Sequence, residues 1–215
     1  MKRLLQISFV LAAILNATGA HAQNAEAGKG KVAMCQGCHS IIGYQASFPE
    51  VYKVPMIAGQ NPKYLVAALG EYAKGERRHP TMRGIAGSLT ETDMADVAAY
   101  YEQLGKSVPT PAQPDAAPTG HVADLLKKGN CASCHGANYS KPLTGMEPKL
   151  AGQHADYLFA ALKSYQTTGN NLVGRSNAIM AGQVKGFNHA ELKEIADYLS
   201  TLPSELHSVP ESRFR

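Results

Sequence analysis

All four cysteines of this chain fall in two copies of one pentapeptide, Cys35-Gln36-Gly37-Cys38-His39 and Cys131-Ala132-Ser133-Cys134-His135. Cys-x-x-Cys-His is the attachment signature of c-type haem. On a short helical turn the two thiols reach the two vinyl-derived carbons on one edge of a porphyrin. The histidine that follows then lies under the ring, where an imidazole nitrogen can bind iron. Other uses of the spacing fit less well. A disulfide scaffold goes with small loop-rich domains, whereas this chain carries long amphipathic helical stretches. A redox dithiol belongs beside a strand-helix-strand pattern, and no strand runs of that kind occur. A zinc site would have to gather ligands from motifs 96 residues apart, with no closed four-ligand set in either half. The motifs therefore imply two covalent haem c groups, held by Cys35, Cys38, Cys131 and Cys134, with His39 and His135 as iron ligands.

The N-terminus agrees with attachment outside the cytoplasm. Met1-Lys2-Arg3 is a basic start, Leu4 to Leu15 is apolar apart from Gln6 and Ser8, and Ala20-His21-Ala22 is a small-x-small cleavage site. Residues 1–22 read as a signal peptide cleaved before Gln23, too short to span a bilayer comfortably, and the expected location is the periplasm. Without Lys2 and Arg3 the chain of 193 residues keeps 19 basic against 17 acidic side chains, or +2. Four propionates from two haems would take it to about −2, so no basic signature calls for nucleic acid or anionic lipid. The length suits two small domains, each of which would lack a sufficient core without a buried haem.

The chain repeats itself. Pro55-Met56-Ile57-Ala58-Gly59-Gln60 matches Pro148-Lys149-Leu150-Ala151-Gly152-Gln153, and Tyr64 to Leu69 matches Tyr157 to Leu162. Tyr72 matches Tyr165, and Met82 and Met180 each precede a tyrosine, Tyr100 and Tyr198, by 18 residues. Between the halves, Ser107 to Pro118 holds four prolines and reads as an exposed, semi-rigid spacer. The expected organisation is domain one at 23–110, a linker at 111–114 and domain two at 115–215. Asn61-Pro62 opens a helix to about Lys74, and Thr90 and Asn188 begin capping boxes of terminal helices ending near Leu104 and Leu202. Short helices at Glu26 to Met34 and Val122 to Lys128 precede the haem motifs, and the methionines fall in loops. The fold class is all-α.

The repeat also nominates the second iron ligands. Met82 and Met180 occupy equivalent places, 43 and 45 residues beyond His39 and His135. A thioether is a soft neutral donor that favours ferrous iron. Met34, Met56 and Met94 align with Asn130, Lys149 and Leu192, and Met146 has no clear counterpart. His79, three residues before Met82, competes for domain one, although its counterpart in domain two is not a histidine. His154, His189 and His207 read as exposed helix or tail residues. A haem-ligating imidazole donates its other N–H to a carbonyl, a role that suits Pro55 and Pro148, which otherwise read as turn prolines.

This constellation resembles class I cytochrome c, and its tandem form resembles the di-haem cytochromes of the c4 type. The likeness covers nearly all of 24–203. It rests on Ala27 to Ala33 before Cys35, both haem motifs, both Ala-Gly-Gln elements, both methionines and both terminal helices. It implies two domains with exposed haem edges, haems close together across a pseudo-twofold interface, and single-electron transfer in the periplasm. Donors of such proteins are quinol-oxidising cytochrome bc complexes, and acceptors are terminal oxidases. Three departures bear on the partner. Ser40 follows His39 where glycine is usual, and where Gly136 stands in domain two. The segment Ile41 to Val54 is long and carries Tyr44, Phe48 and Tyr52. A tail from Ser204 to Arg215 outlasts the last helix.

Three functions compete. In the first, two iron atoms saturated by His and Met leave outer-sphere electron transfer as the chemistry of a carrier, not an enzyme. In the second, the chain is the cytochrome subunit of a dehydrogenase, for example one that oxidises sulfide with a flavin, and the aromatic insertion at 41–54 is its docking surface. In the third it is itself an enzyme. A di-haem peroxidase is usually longer and needs an open iron, and a di-haem thiosulfate dehydrogenase uses a cysteine ligand, for which no fifth cysteine exists.

Overall fold

The structure is a computed structural model that describes residues 23–109 and 117–211. The signal peptide expected at 1–22 and the linker expected at 111–114 lie outside the described residues. Each half is a small helical domain around its own apolar cluster. In domain one α1 (Ala25–Lys31) crosses the long terminal helix α5 (Glu91–Lys106), and between them run α2 (Ala33–His39), α3 (Pro62–Lys74) and α4 (Pro80–Gly87). In domain two α6 (His121–Lys128) crosses α10 (His189–Thr201), with α7 (Ala132–His135), α8 (Ala155–Gln166) and α9 (Ala178–Val184) between them. Val32, Val97, Ala98 and Tyr101 anchor the first core, and Leu125, Leu158, Leu192 and Leu199 the second.

Local sequence explains the helix ends. The Asn61 side chain accepts from the Lys63 N–H with Pro62 in the first turn of α3. Both capping boxes form, Thr90 with Asp93 and Asn188 with Glu191. Two expectations need correction. The first helix breaks at Val32, and the haem motif of domain one is itself helical, as α2. The methionines sit on helices, not in loops. Met82 lies in α4, opened by Pro80 and capped by His79, and Met180 lies in α9, capped by Asn177. The glycines of Pro80–Gly87 make that stretch read as loop, but a cap and a first-turn proline outweigh them.

Two glycines are fixed by backbone shape. Gly59 and Gly152, the middle residues of the Ala-Gly-Gln elements, have φ of +85° and +68°, a region that disfavours any side chain. Their N–H groups donate to the carbonyls of Tyr101 and Leu199, both at 2.8 Å. Each element thus hangs on its domain's terminal helix.

The domains meet along several seams. Two-residue strands β3 (Arg77–Arg78) and β4 (Gly174–Arg175) pair antiparallel across the interface, Arg77 opposite Arg175. The insertion folds as a hairpin of β1 (Gln45–Ala46) and β2 (Tyr52–Lys53). Its inner side straps domain two: Lys163 pairs with Glu50 at 2.6 Å, the Lys53 N–H donates to Asp156, and the rings of Tyr52 and Tyr157 lie 6.1 Å apart. The tail runs the other way. Leu206 is buried, His207 exchanges two backbone hydrogen bonds with Ala58, and Val209 packs on the core of domain one. His207 is consequently half-buried rather than exposed. His154 is half-buried too, at the start of α8, while His189 is exposed as expected.

Candidate haem sites

In each domain the histidine of the pentapeptide is turned by one backbone carbonyl. His39 Nδ1 lies 2.8 Å from the Pro55 carbonyl oxygen, and His135 Nδ1 lies 3.0 Å from that of Pro148. A carbonyl oxygen only accepts, so Nδ1 carries the proton in both rings and Nε2 keeps its lone pair. Burial pushes both imidazoles below the ordinary histidine value, opposed in part by these bonds. A neutral ring with a free Nε2 is the form that binds iron.

One cavity of about 370 Å³ serves both domains, and His39, Met82, His135 and Met180 all line it. Cys35 and Cys38 are in its wall. Cys131, the N-cap of α7, packs against the second core, and Cys134, within α7, lies 3.6 Å from the Ser133 hydroxyl. All four thiols are unpaired. Burial pushes the Cys35 thiol up to about 11 and raises that of Cys131. Most of the remaining lining is apolar, as a porphyrin face requires: Leu65, Ala68 and Val97 in domain one, Leu158, Ala161 and Leu199 in domain two.

The competitor His79 has other work. Its Nδ1 accepts the Met82 N–H at 3.3 Å, as the Asn177 oxygen accepts the Met180 N–H at 3.0 Å. His79 and Asn177 are thus matched helix caps, each three residues ahead of its methionine.

Sequence reading missed two pairs. Arg77 and Arg175 each precede the methionine by five residues, so the repeat contained the signal. Both guanidiniums line the cavity among the matched tyrosines. Arg77 pairs with Glu71 at 2.8 Å and donates to the Tyr64 hydroxyl. Arg175 donates to the hydroxyls of Tyr157 and Tyr165 and, among the described residues, has no carboxylate partner. A screened cation of this kind calls for an anion. The buried Tyr101 hydroxyl also lines the cavity, beside the Cys35 thiol. Two guanidiniums in a largely apolar chamber fit a flat apolar ligand carrying carboxylates. The second missed pair is Gln60 and Gln153, each of which reaches into the other domain.

A sequence profile described as Cytochrome c matches residues 122–203. Cytochrome c4 of Stutzerimonas stutzeri is 31% identical over 207 residues, covering 87% of this chain and 94% of the relative. The crystal structure of reduced recombinant cytochrome c4 from Pseudomonas stutzeri superposes with a TM-score of 0.59 at 26% identity, over 84% of this chain and all of that one. A thiosulfate dehydrogenase structure from Marichromatium purpuratum gives a TM-score of 0.60 at 26% identity, over 83% of this chain but 40% of that one. With its two all-α cytochrome domains, its two covalent haem c groups and its role in electron transfer, the chain belongs to the cytochrome c4 family.

Proposed function

We propose that the haem of domain one is bound through Cys35 and Cys38 with His39 and Met82 on its iron, and that of domain two through Cys131 and Cys134 with His135 and Met180. The observation that carries this is the matched pair of imidazoles, each held with Nδ1 on a proline carbonyl and each sharing one cavity with the methionine of its own domain. When bound, each haem c takes up or gives one electron at its iron. The chain's own residues do the rest. Pro55 and Pro148 fix ring orientation, the apolar lining excludes water, and Arg77 and Arg175 supply positive charge for propionates.

The protein then works as a periplasmic carrier, exported by the signal peptide at 1–22, with the domain division at the 111–114 linker. It takes electrons from a quinol-oxidising cytochrome bc complex and passes them to a terminal oxidase. Among the described residues no helix is long and apolar enough to cross a membrane, which accords with redox protein partners met by diffusion. The likeness to a thiosulfate dehydrogenase over 40% of its chain favours a second reading, an acceptor subunit for a dehydrogenase. Ile41 and Ile42 ahead of the hairpin and Val51 within it are exposed and available to such a partner. Stopped-flow mixing of the oxidised protein with a reduced bc complex, and separately with a turning-over dehydrogenase, tests the two. Fast salt-sensitive reduction by the bc complex supports the carrier. Reduction by the dehydrogenase alone supports the subunit.

A further inference from the structure

Gln60 and Gln153 are each 3% exposed, and their carboxamides cross the domain interface in mirror fashion. Gln60 Nε2 donates to the Lys149 carbonyl at 3.0 Å while its Oε1 accepts the Lys149 N–H at 2.9 Å. Gln153 Nε2 donates to the Met56 carbonyl at 2.8 Å while its Oε1 accepts the Met56 N–H at 3.0 Å. The gripped N–H groups are not arbitrary. The Lys149 N–H belongs to the peptide unit whose carbonyl, that of Pro148, accepts from His135 Nδ1, and the Met56 N–H to the unit whose carbonyl, that of Pro55, accepts from His39.

Two hydrogen-bonded relays result. One runs from His135 Nδ1–H through the Pro148–Lys149 peptide to Gln60 of domain one. Its mirror runs from His39 through the Pro55–Met56 peptide to Gln153 of domain two. A peptide whose N–H is engaged carries more negative charge on its oxygen, so the two bonds reinforce each other. A stronger bond at Nδ1 makes the imidazole a more electron-rich iron ligand, which favours ferric iron.

We propose that Gln60 is a positioning residue for the haem of domain two and Gln153 for the haem of domain one, each lowering the reduction potential of the haem it does not share a domain with. This inference rests on the ligand assignment of His39 and His135 proposed above. The interface becomes an electronic element of the carrier as well as its glue.

Site-resolved NMR redox titration of the holoprotein, with ¹⁵N-labelled histidine, tests it. The Nδ1–H signals of His39 and His135 are assigned by contacts to Pro55 and Pro148. In Gln60→Leu the reduced-state His135 signal should move upfield and the domain-two haem should favour reduction by about twofold more, or about 18 mV at 59 mV per decade. The domain-one haem should stay in place. Gln153→Leu should do the reverse. Gln60→Glu, which keeps an oxygen on the Lys149 N–H, should return the domain-two potential to the wild-type value or below it. A shift of both haems together, a shift of the haem in the mutated domain only, or no shift overturns the proposal. Absence of a haem-shifted Nδ1–H signal at His39 or His135 in the wild type would instead overturn the ligand assignment.

Discussion

On the proposed ligation, His39 and His135 feed iron through one nitrogen and commit the other to a backbone carbonyl no side-chain substitution removes. The neighbouring His79 shows the opposite use of the same residue type, accepting a helix N–H through Nδ1. Because Asn177 does the same at α9, His79→Asn should leave the spectrum of both haems unchanged and stability within about 0.5 kcal/mol. His79→Ala should cost about 1 kcal/mol by loss of the cap. Denaturant titration followed by circular dichroism, alongside the visible spectrum, checks both. Lys31 offers a pH prediction. Its ammonium sits 2.7 Å from Asp93 and 2.8 Å from Asp96, and its hydrogen bonds hold both carboxyls below the usual carboxylate range, Asp93 furthest. Folded values below the unfolded ones mean stability that is present above about pH 4 and lost as pH falls through the depressed values. Lys31→Met should therefore lower stability at pH 7 and raise the midpoint of acid unfolding, with the difference from the parent fading as pH falls through the depressed values, as measured by denaturant and acid titration of the helical signal.

At the scale of elements, the crossing of α1 on α5 depends on a missing side chain. A Cβ at Gly28 would fall 2.1 Å from the Asp96 carbonyl oxygen, whereas one at Gly30, two residues on, would meet nothing within 4 Å. Gly28→Ala should destabilise domain one by about 1–3 kcal/mol through forced separation of the helices. Gly30→Ala should stabilise it by about 0.5–1 kcal/mol through helix propensity. Thermal melts of the two variants should move in opposite directions. Elements of this kind were legible because their signals are local. Asn61-Pro62, Thr90 with Asp93 and Asn188 with Glu191 each announce a helix start within four residues. The haem motifs were legible for the same reason. The helical setting of Met82 was less so, since Gly84 and Gly87 mask it and the capping histidine resembles a rival ligand. Gln60 and Gln153 were visible as repeated letters, but their roles depend on what lies opposite them in the other domain, and spacing within one half carries no trace of that.

For the whole molecule, the halves are bound by exchange. The hairpin of domain one grips α8, the tail of domain two returns to Ala58 and the first core, and the glutamines cross in both directions. The tail was expected only to outlast the last helix. Leu206 is 1% exposed, so Leu206→Ala should cost about 2–5 kcal/mol and lower the first unfolding transition seen by calorimetry. Such a fixed arrangement suits a carrier whose two haem sites share one cavity, because the distance an electron must cross between them is then set by the fold.

On the proposed ligation two irons, each saturated by one histidine and one methionine of its own domain, serve outer-sphere electron transfer. Potentiometric titration of the holoprotein through the weak near-infrared band of methionine bound to ferric iron tests it most directly. Such a protein should show two one-electron waves, a band that falls by about half in Met82→Ala and in Met180→Ala, and a lowered potential for one haem in each variant. A band that survives intact in Met82→Ala would contradict it and return His79 to the iron of domain one.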